Sequence, residues 1–475
     1  STGRCWPSRS SLLTGYYAQQ VDMDPRDVDM NDWPRWTRLL PEYLRNAGYQ
    51  SYHSGKWHLR KTPLTHGFKH SYWLRDHERF FNPQEHSLDD VPLPPVDRDE
   101  GYYSTIAIAD HAIDFLQDHH QTSVNEPFYL YVAFTAPHFP LHALQQDIDK
   151  YRGTFSSGWD EHRKQRVQRL KELGLVNSLE LSPRHENVFN FWSLSVEQLQ
   201  AEVDPGEVGR AIPWQKLNRR QQEYEASKME VHAAMIDRMD QEIARIMAQV
   251  DVMGVASNTV FIFLSDNGAT AEQLVRGDGH LMGSPSGSID THQTLGPGWS
   301  MAANTPFSLH KFWNHEGGIS SPMIVNWPDG IVSRGGLRNT PAHFVDIVPT
   351  MFEIAGVTPS LDWNGATAPA FPGQSLVPVF DKDPDWIDRE FYFSHRGNMA
   401  LRHGNWKIVK RRDNNDEWEL YNIDDDRVES RNLAERYPER LAQMTATWER
   451  KNHQYTNVDR FIGSERATSV SNPNR

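Results

Sequence analysis

Two short, continuous apolar runs, at 128–134 and 259–264, constrain this chain more than any other feature of it. A strand with one wet face alternates polar and apolar residues. An unbroken run is expected where both faces are covered, chiefly in parallel sheets packed between helices. Helical patterns lie between the runs. Residues 104–119 place Ile106, Ala109, Ile113 and Leu116 on one side, and a long helix reaching about residue 250 has Met229, Ala233, Ile236, Met239, Ile243 and Ile246 as its inner stripe. Residues 49–53 and 323–325 read as further strands, and 36–47 and 344–355 as helices closed by Gly48 and Gly356. Strands alternating with helices through the first 370 residues predict an α/β fold, a mostly parallel sheet sandwiched by helices.

From residue 390 the pattern changes. Short runs at 391–393, 407–409 and 419–421, separated by turn residues, predict an antiparallel sheet, with a helix at about 433–448 to pack on it. At 475 residues the chain exceeds the usual reach of one core. It divides into a domain at 1–372, carrying a helical insertion at about 151–222, and a smaller α+β domain at 373–475. Segments 22–32 and 81–99 predict surface loops, and the Gly-, Ser- and Pro-rich stretch 277–304 a mobile rim loop.

Net charge is −14, which argues against general nucleic-acid binding and requires any anionic substrate to meet a local positive pocket. Both apolar runs, 128–134 and 260–264, are far too short to span a bilayer. Cys5 is the single cysteine, so no internal disulfide reports the compartment. A lone cysteine is ordinarily a small buried hydrophobe. Cys5 differs in its surroundings: Pro7 fits the first turn of a helix with Leu12 and Leu13 on its buried side. Cys5 then stands just ahead of a helix N-terminus, where negative charge is favoured, and Arg9 can reach back to the same point. That is a nucleophile position beside an anion site.

The other chemistry-bearing residues follow the last apolar residue of a strand, the edge at which open α/β sheets bind ligands. Lys56 and His58, two apart, share one side of an extended segment, although such a pair is ordinarily exposed. His138 is held between Pro137 and Pro140, with His142 shortly after. Asp266-Asn267-Gly268 alone would be a turn, but adjacent hard oxygen donors after a strand suit Ca²⁺ or Mg²⁺. Lys311, five residues before Glu316-Gly317-Gly318, would alone be a surface lysine.

Cys5-Trp6-Pro7-Ser8-Arg9-Ser10-Ser11-Leu12-Leu13-Thr14-Gly15 closely resembles the sulfatase signature C-x-P-S-R-x-x-L-L-T-G, with every fixed position occupied. Gly55-Lys56-Trp57-His58-Leu59 is similar to a second sulfatase motif, with Arg60 where a glycine usually follows, and 136–143 to the family's A-P-H-x-P-L-H-A pattern. The resemblance covers nearly the whole chain. It points to type I, formylglycine-dependent sulfatases of the bacterial arylsulfatase kind, and implies an alkaline-phosphatase-like fold. It further implies that a maturation enzyme oxidises Cys5 to formylglycine, whose aldehyde hydrate is the nucleophile. Arg9, Lys56 and Lys311 would clamp the sulfuryl group, His58 would hydrogen-bond the formylglycine hydroxyl, and His138 would protonate the leaving oxygen. Asp266, Asn267 and the modified Cys5 would hold Ca²⁺, in preference to Mg²⁺, and His142 would stand in the pocket wall.

The implied reaction is hydrolysis of an alkyl or aryl sulfate ester, a sulfated carbohydrate above all, by a periplasmic or secreted enzyme. Two readings compete with it. One is a phosphonate monoester or phosphodiester hydrolase of the same superfamily. The other is a non-catalytic binder of sulfated glycans, if Cys5 stays a thiol. The 277–304 loop and the smaller domain are expected to shape the leaving-group side. The family's paired metal-binding aspartates have no counterpart in the chain. That predicts an N-terminally truncated fragment that binds Ca²⁺ weakly, tends to aggregate and shows little activity.

Overall fold

The computed structural model describes residues 1–24, 33–178, 180–188, 193–384, 388–413 and 417–456; most of the acidic loop expected at 22–32 lies outside them. The first part of the chain runs α1 (Cys5–Thr14), α2 (Leu40–Leu44), β1 (Gln50–Gly55), β2 (His70–Leu74), β3 (His86–Leu88), β4 (Val91–Pro92), α3 (Ser104–Thr122) and β5 (Phe128–Ala133). Helices α4 (Gln145–Asp149), α5 (Gly158–Glu172), α6 (Val196–Glu202) and α7 (Arg219–Val252) follow, then β6 (Phe261–Leu264), α8 (Gly296–Ala303), α9 (Glu316–Ile319), β7 (Met323–Asn326) and α10 (Ile347–Ala355). The short hairpin β8 (Asp362–Trp363) and β9 (Ala366–Thr367) and helix α11 (Val377–Asp381) lead into β10 (Glu390–His395), β11 (Asn398–His403), β12 (Trp406–Lys410), β13 (Trp418–Asn422) and α12 (Pro438–Thr456).

The large sheet has the order β4-β3-β2-β1-β5. Strands β2, β1 and β5 are parallel, while β3 and β4 add antiparallel, so the sheet is mixed. Period-two alternation sends Leu130 and Val132 of β5 toward Ile108, Ala109 and Ala112 of α3 and Ile246 of α7. Tyr129 and Tyr131 face the opposite side, where α1, α2 and α10 pack. Helices therefore lie on both faces. The apolar runs nevertheless overstate the burial. Strand β5 is bonded on one side only, to β1, and most of it is half-buried. Strand β6 pairs with β7 alone, antiparallel, leaving Phe263 38% and Ile324 61% exposed. An unbroken run was expected to mean two covered faces; these two strands sit at sheet borders, among the described residues.

Other differences have local causes. Helix α1 is buried along its entire length rather than on one side, and Cys5 is its first residue rather than the one ahead of it. Gly15 closes it at φ 78°, its N–H bonded to the Ser11 carbonyl. The helix expected at 36–47 begins only at Leu40, with Pro41 in its first turn, but ends at Gly48 as expected. On α7 the inner stripe is Val231, Ala234, Met235, Met239, Ile246 and Val250, while Ile236 is exposed, because the helix packs on α3 and α4 along a rotated face. The expected rim loop 277–304 ends in a buried helix, α8. Trp299 of α8 meets Trp159 and Trp214 of the inserted region, with ring centroids 5.8 Å from each and the latter pair 4.8 Å apart. Such edge-to-face contacts add roughly 0.5–1.5 kcal/mol each beyond area burial, which explains why a glycine-rich stretch is ordered.

The smaller sheet is antiparallel, in the order β10-β11-β12-β13. Its Tyr392, Leu401, Ile408 and Leu420 face Met444, Trp448 and Tyr455 of α12, which starts five residues later than its sequence pattern suggests. The other face, with Phe393, Ala400 and Val409, packs on Ile319 at the end of α9. The smaller sheet thus lies directly behind the segment that carries Lys311.

Candidate active site

Strand ends deliver the site. Lys56 is the first residue past β1, its N–H bonded to the Ala133 carbonyl at the end of β5 at 2.9 Å. Gly55 sits at φ 115°, and a Cβ there would lie 2.3 Å from the Ala133 oxygen, so the strands can meet this closely only at glycine. His138 follows β5, and Asp266 and Asn267 follow β6. Arg9 reaches across from α1. Its Nε donates to Asp266 Oδ2 at 3.2 Å, and its Nη1 donates to the Lys56 carbonyl at 3.0 Å and the Tyr131 hydroxyl at 3.1 Å.

Charge is unevenly balanced there. Burial works against the Arg9 cation, but Tyr131, Asp266 and Cys5 together raise its pKa above the ordinary guanidinium value. Burial likewise opposes the Asp266 carboxylate, yet Arg9, Lys56 and Lys311 hold its pKa below the usual range. Burial lowers Lys56 to about 8 even though the neighbouring Cys5 pulls the other way. Lys56 and Lys311 are each only 3% exposed, and neither has a carboxylate at ion-pair distance among the described residues. Two buried ammonium groups therefore stand beside Cys5, a free thiol 4% exposed, with Asp266 acting on both only from beyond ion-pair distance.

Lys311 Nζ lies 3.2 Å from His138 Nε2, and His138 Nδ1 lies 2.7 Å from the Phe139 carbonyl. A carbonyl only accepts, so Nδ1 carries the hydrogen and Nε2 accepts from the ammonium. Burial, then Lys311, Lys56 and His77, hold His138 neutral.

The structure brings together Cys5, Arg9, Lys56, His138, Asp266 and Lys311. His58 joins them differently than its spacing implies. It takes φ 59°, so the chain turns after β1 and Lys56 and His58 do not share a side of an extended segment. Its ring is 5.7 Å from Trp6 and 5.4 Å from His77. Arg60, in the place of the usual glycine, is buried and donates to the Asp22 carbonyl; the left-handed conformation falls instead on Lys61, whose carbonyl accepts from Trp57 Nε1 at 3.0 Å. His142 stands away from the cluster in a cavity wall, bonded to the Thr291 carbonyl at 2.6 Å.

Sequence reasoning missed Tyr131, His77 and the Arg4–Glu272 pair at 3.0 Å. Tyr131 is hidden inside an apolar run, and only its alternation phase reveals which face it takes. His77 lies three residues past the end of β2, the same edge position that singled out the others.

Asn267 Oδ1 is buried and makes no hydrogen bond, while its Nδ2 donates to the Gly268 carbonyl. An unused buried acceptor next to the Asp266 carboxylate suits a divalent cation. These two supply only part of a shell, since the described residues contain no cluster of three or more His, Cys, Asp or Glu side chains able to hold a metal. Gly268 docks this loop: its N–H bonds the Gly318 carbonyl at 3.0 Å, and a Cβ would lie 1.8 Å from the Gly317 oxygen.

Known proteins match this arrangement. The sulfatase family profile matches residues 1–357, and that of the N-sulphoglucosamine sulphohydrolase C-terminal region matches 308–454. An uncharacterised sulfatase of Schizosaccharomyces pombe is 32% identical over 86% of this chain and 75% of its own length. The arylsulfatase of Klebsiella aerogenes is 29% identical over 74% of this chain and 77% of its own. A structure solved in complex with its substrate, D-glucosamine-2-N,6-O-disulfate, has a TM-score of 0.63 at 20% identity, covering 96% of this chain and 90% of that one, a likeness of fold. With a profile spanning that much of the chain, and buried cations converging on the signature cysteine, one assignment follows: the chain belongs to the sulfatase family and is an enzyme of that class.

Proposed function

We propose that the protein hydrolyses the sulfate ester of a carbohydrate, with residue 5 acting as formylglycine and a divalent cation, Ca²⁺ in preference to Mg²⁺, held by Asp266 and Asn267. The observation carrying this reading is the pair of buried ammonium groups on Lys56 and Lys311 beside Arg9 and Cys5, neither with a carboxylate at ion-pair distance among the described residues, in a chain of net charge −14. Buried charge without a partner is unstable, so the pocket is suited to an anion. The carbohydrate follows the structural relative bound to a sulfated glucosamine. We assign the chemistry to residues 1–372, with 373–475 as a supporting domain, and place the enzyme in the periplasm or outside the cell. No helix among the described residues is long and apolar enough to cross a membrane.

Formylglycine would supply a hydrated-aldehyde oxygen as nucleophile, and the cation would add positive charge at the sulfuryl oxygens. The chain's own residues do the rest. Arg9 fixes Asp266 and the end of β1. Lys56 and Lys311 hold the sulfuryl oxygens, and such fixed cations stabilise the charge that develops as the ester bond breaks. His58 helps deprotonate the hydroxyl that later expels sulfate. For the leaving oxygen the proton rests on Lys311 and passes over Nε2 of His138, which is too weakly basic to store it.

Trypsin releases the peptide Cys5–Arg9, and its mass tests the modification directly. Protein from a host with a maturation system is expected to show the aldehyde; cysteine alone would overturn the proposal. Matched aryl sulfate and aryl phosphonate esters test the reaction, and a strong preference for the phosphonate would transfer the protein to the rival hydrolase reading. A further result concerns the proton. His138→Ala is expected to slow substrates with poor leaving groups by about 10²–10⁴-fold and activated aryl sulfates by less than about tenfold. Equal losses in kcat on both would show that His138 carries no proton to the leaving oxygen.

A further inference from the structure

The segment 266–273 touches three charged parts of the site. Asp266 Oδ2 accepts from Arg9 Nε at 3.2 Å, the Ala269 carbonyl accepts the Lys311 backbone N–H at 2.9 Å, and Glu272 Oε1 accepts from Arg4 Nη1 at 3.0 Å. Gln273 anchors the far end, its N–H donating to Ser193 Oγ at 3.0 Å and its Nε2 to Glu207 Oε2 at 2.9 Å. Asp266 and Lys311 have a part in the proposed reaction. Glu272 has none, although its side chain is only 4% exposed and burying a carboxylate is costly.

The ion pair that Glu272 forms is oriented. Arg4, the residue before Cys5, lies over the Trp6 ring, 5.2 Å from its centroid. The carboxylate lies within reach of the Lys311 charge: burial opposes its ionisation, yet Arg4 and then Lys311 hold its pKa at about 2. Thr270 fixes it further, Oγ1 donating to Glu272 Oε2 at 2.9 Å. The negative end thus stands on the Lys311 side and the positive end on the Trp6 side. Glu78, another acid on which Lys56 and Lys311 act, differs from it. Glu78 lines the cavity beside His77, between the loop after β2 and the 276–292 segment, and its partner Arg276 is half exposed, so solvent screens that pair.

Sulfate ester hydrolysis changes the charge in the pocket. R–O–SO3⁻ and water give R–OH, sulfate dianion and a proton, so the sulfuryl group carries one negative charge before and two after. Coulomb energy scales with the product of the charges, so a fixed carboxylate repels the product about twice as strongly as the ester. Arg9, Lys56 and Lys311 attract the dianion more strongly by the same rule.

We infer that Glu272 is a specificity-determining residue that favours the monoanionic ester over the sulfate dianion and so eases release of the product. The inference rests on the proposed sulfate-ester reaction and adds to it a built-in limit on inhibition by its own product.

Titration calorimetry of inorganic sulfate and of methyl sulfate, on the wild type, Glu272→Gln and Arg4→Met, tests this. Glutamine keeps an oxygen for Arg4 and removes the charge. Glu272→Gln is expected to tighten sulfate about tenfold and methyl sulfate about threefold, the smaller factor being the square root of the larger because the charges differ twofold. Arg4→Met leaves the carboxylate without its ion-pair partner and is expected to loosen both anions, sulfate the more. A merely structural pair would weaken binding whichever member is lost. Sulfate affinity that is weaker or unchanged within about twofold in Glu272→Gln would overturn the inference, as would equal changes for the two anions. Thermal melts identify a variant that has not folded, and the other then decides by whether sulfate moves more than methyl sulfate. A wild type that binds neither anion strikes at the proposed function itself.

Discussion

Lys407→Met is expected to destabilise the protein by about 3–5 kcal/mol, the usual loss when one member of a buried ion pair is removed. Lys407 is fully buried on β12, with Nζ 2.7 Å from Glu316 and 2.8 Å from Glu429. Burial opposes its charge, but the two carboxylates hold the ammonium above its ordinary pKa. Glu316 is held down at about 2 despite its burial, whereas burial dominates at Glu429 and raises it, so one cation serves two acids unequally. Methionine keeps the volume and leaves both carboxylates buried without their ion-pair partner, with only the more distant Arg402 and Arg427 still acting on Glu316. Glu316 opens α9, only five residues after Lys311, and Glu429 also accepts the Glu316 N–H at 2.7 Å. Loss of the pair should therefore loosen the smaller sheet from the segment bearing a sulfuryl clamp, and kcat should fall with the urea midpoint. A midpoint shift equivalent to less than about 1 kcal/mol would show that the buried triad is nearly neutral in stability, as well-packed replacements sometimes are.

The second large effect is acid sensitivity. Burial lowers His53 and His310 to about 3, and His142, His185, His232 and His292 to about 4. The folded protein keeps these rings neutral, while the unfolded chain protonates them below about 6.5. The unfolded state then binds more protons, so stability is present above pH 6.5 and is lost as pH falls toward 4. Each histidine contributes about 1.4 kcal/mol per pH unit in that window, and total stabilities are only about 5–15 kcal/mol. Unfolding is expected by about pH 5, well above the range in which the paired carboxylates titrate. Circular dichroism melts between pH 7.5 and 4.5 measure this, and a Tm that stays flat down to pH 5 would refute it. His232→Leu should reduce the slope, since desolvation alone sets the His232 shift.

Much of this site was legible because its residues lie at strand ends, where local pattern and chemistry coincide. His138, Asp266 and Asn267 each follow an apolar run, Lys56 follows a strand that ends at a glycine, and Cys5 and Arg9 share one helix start. The covering of the strands was not legible. Residues 128–134 are as apolar as a central strand, yet nothing within the run says how many neighbours it has; pairing is a long-range property. The helix at the end of the expected rim loop was hidden for a related reason: Trp299 of α8 packs on Trp159 and Trp214, 140 and 85 residues earlier in the chain. The turn at His58 was hidden because a left-handed histidine leaves no mark in composition. The cavity beside His77 was half visible. Its 277–292 wall was expected, but its other wall comes from the loop after β2, and the smaller domain contributes none of its described lining.

Arg9 ties the end of β1, the middle of β5 and the loop after β6 with a single guanidinium. Lysine could not replace it, because one ammonium cannot present that planar fork to three acceptors in different directions. Any change at position 9 would therefore disturb electrostatics and strand geometry together, and there is little room for graded adjustment. The walls at 75–82 and 276–292 carry no such constraint, for they are loops paired mainly with each other. An engineer seeking a new sulfated substrate would do best to randomise those walls and leave the helix start untouched. Libraries built that way should keep a high proportion of folded, chemically competent members while their preferences diverge.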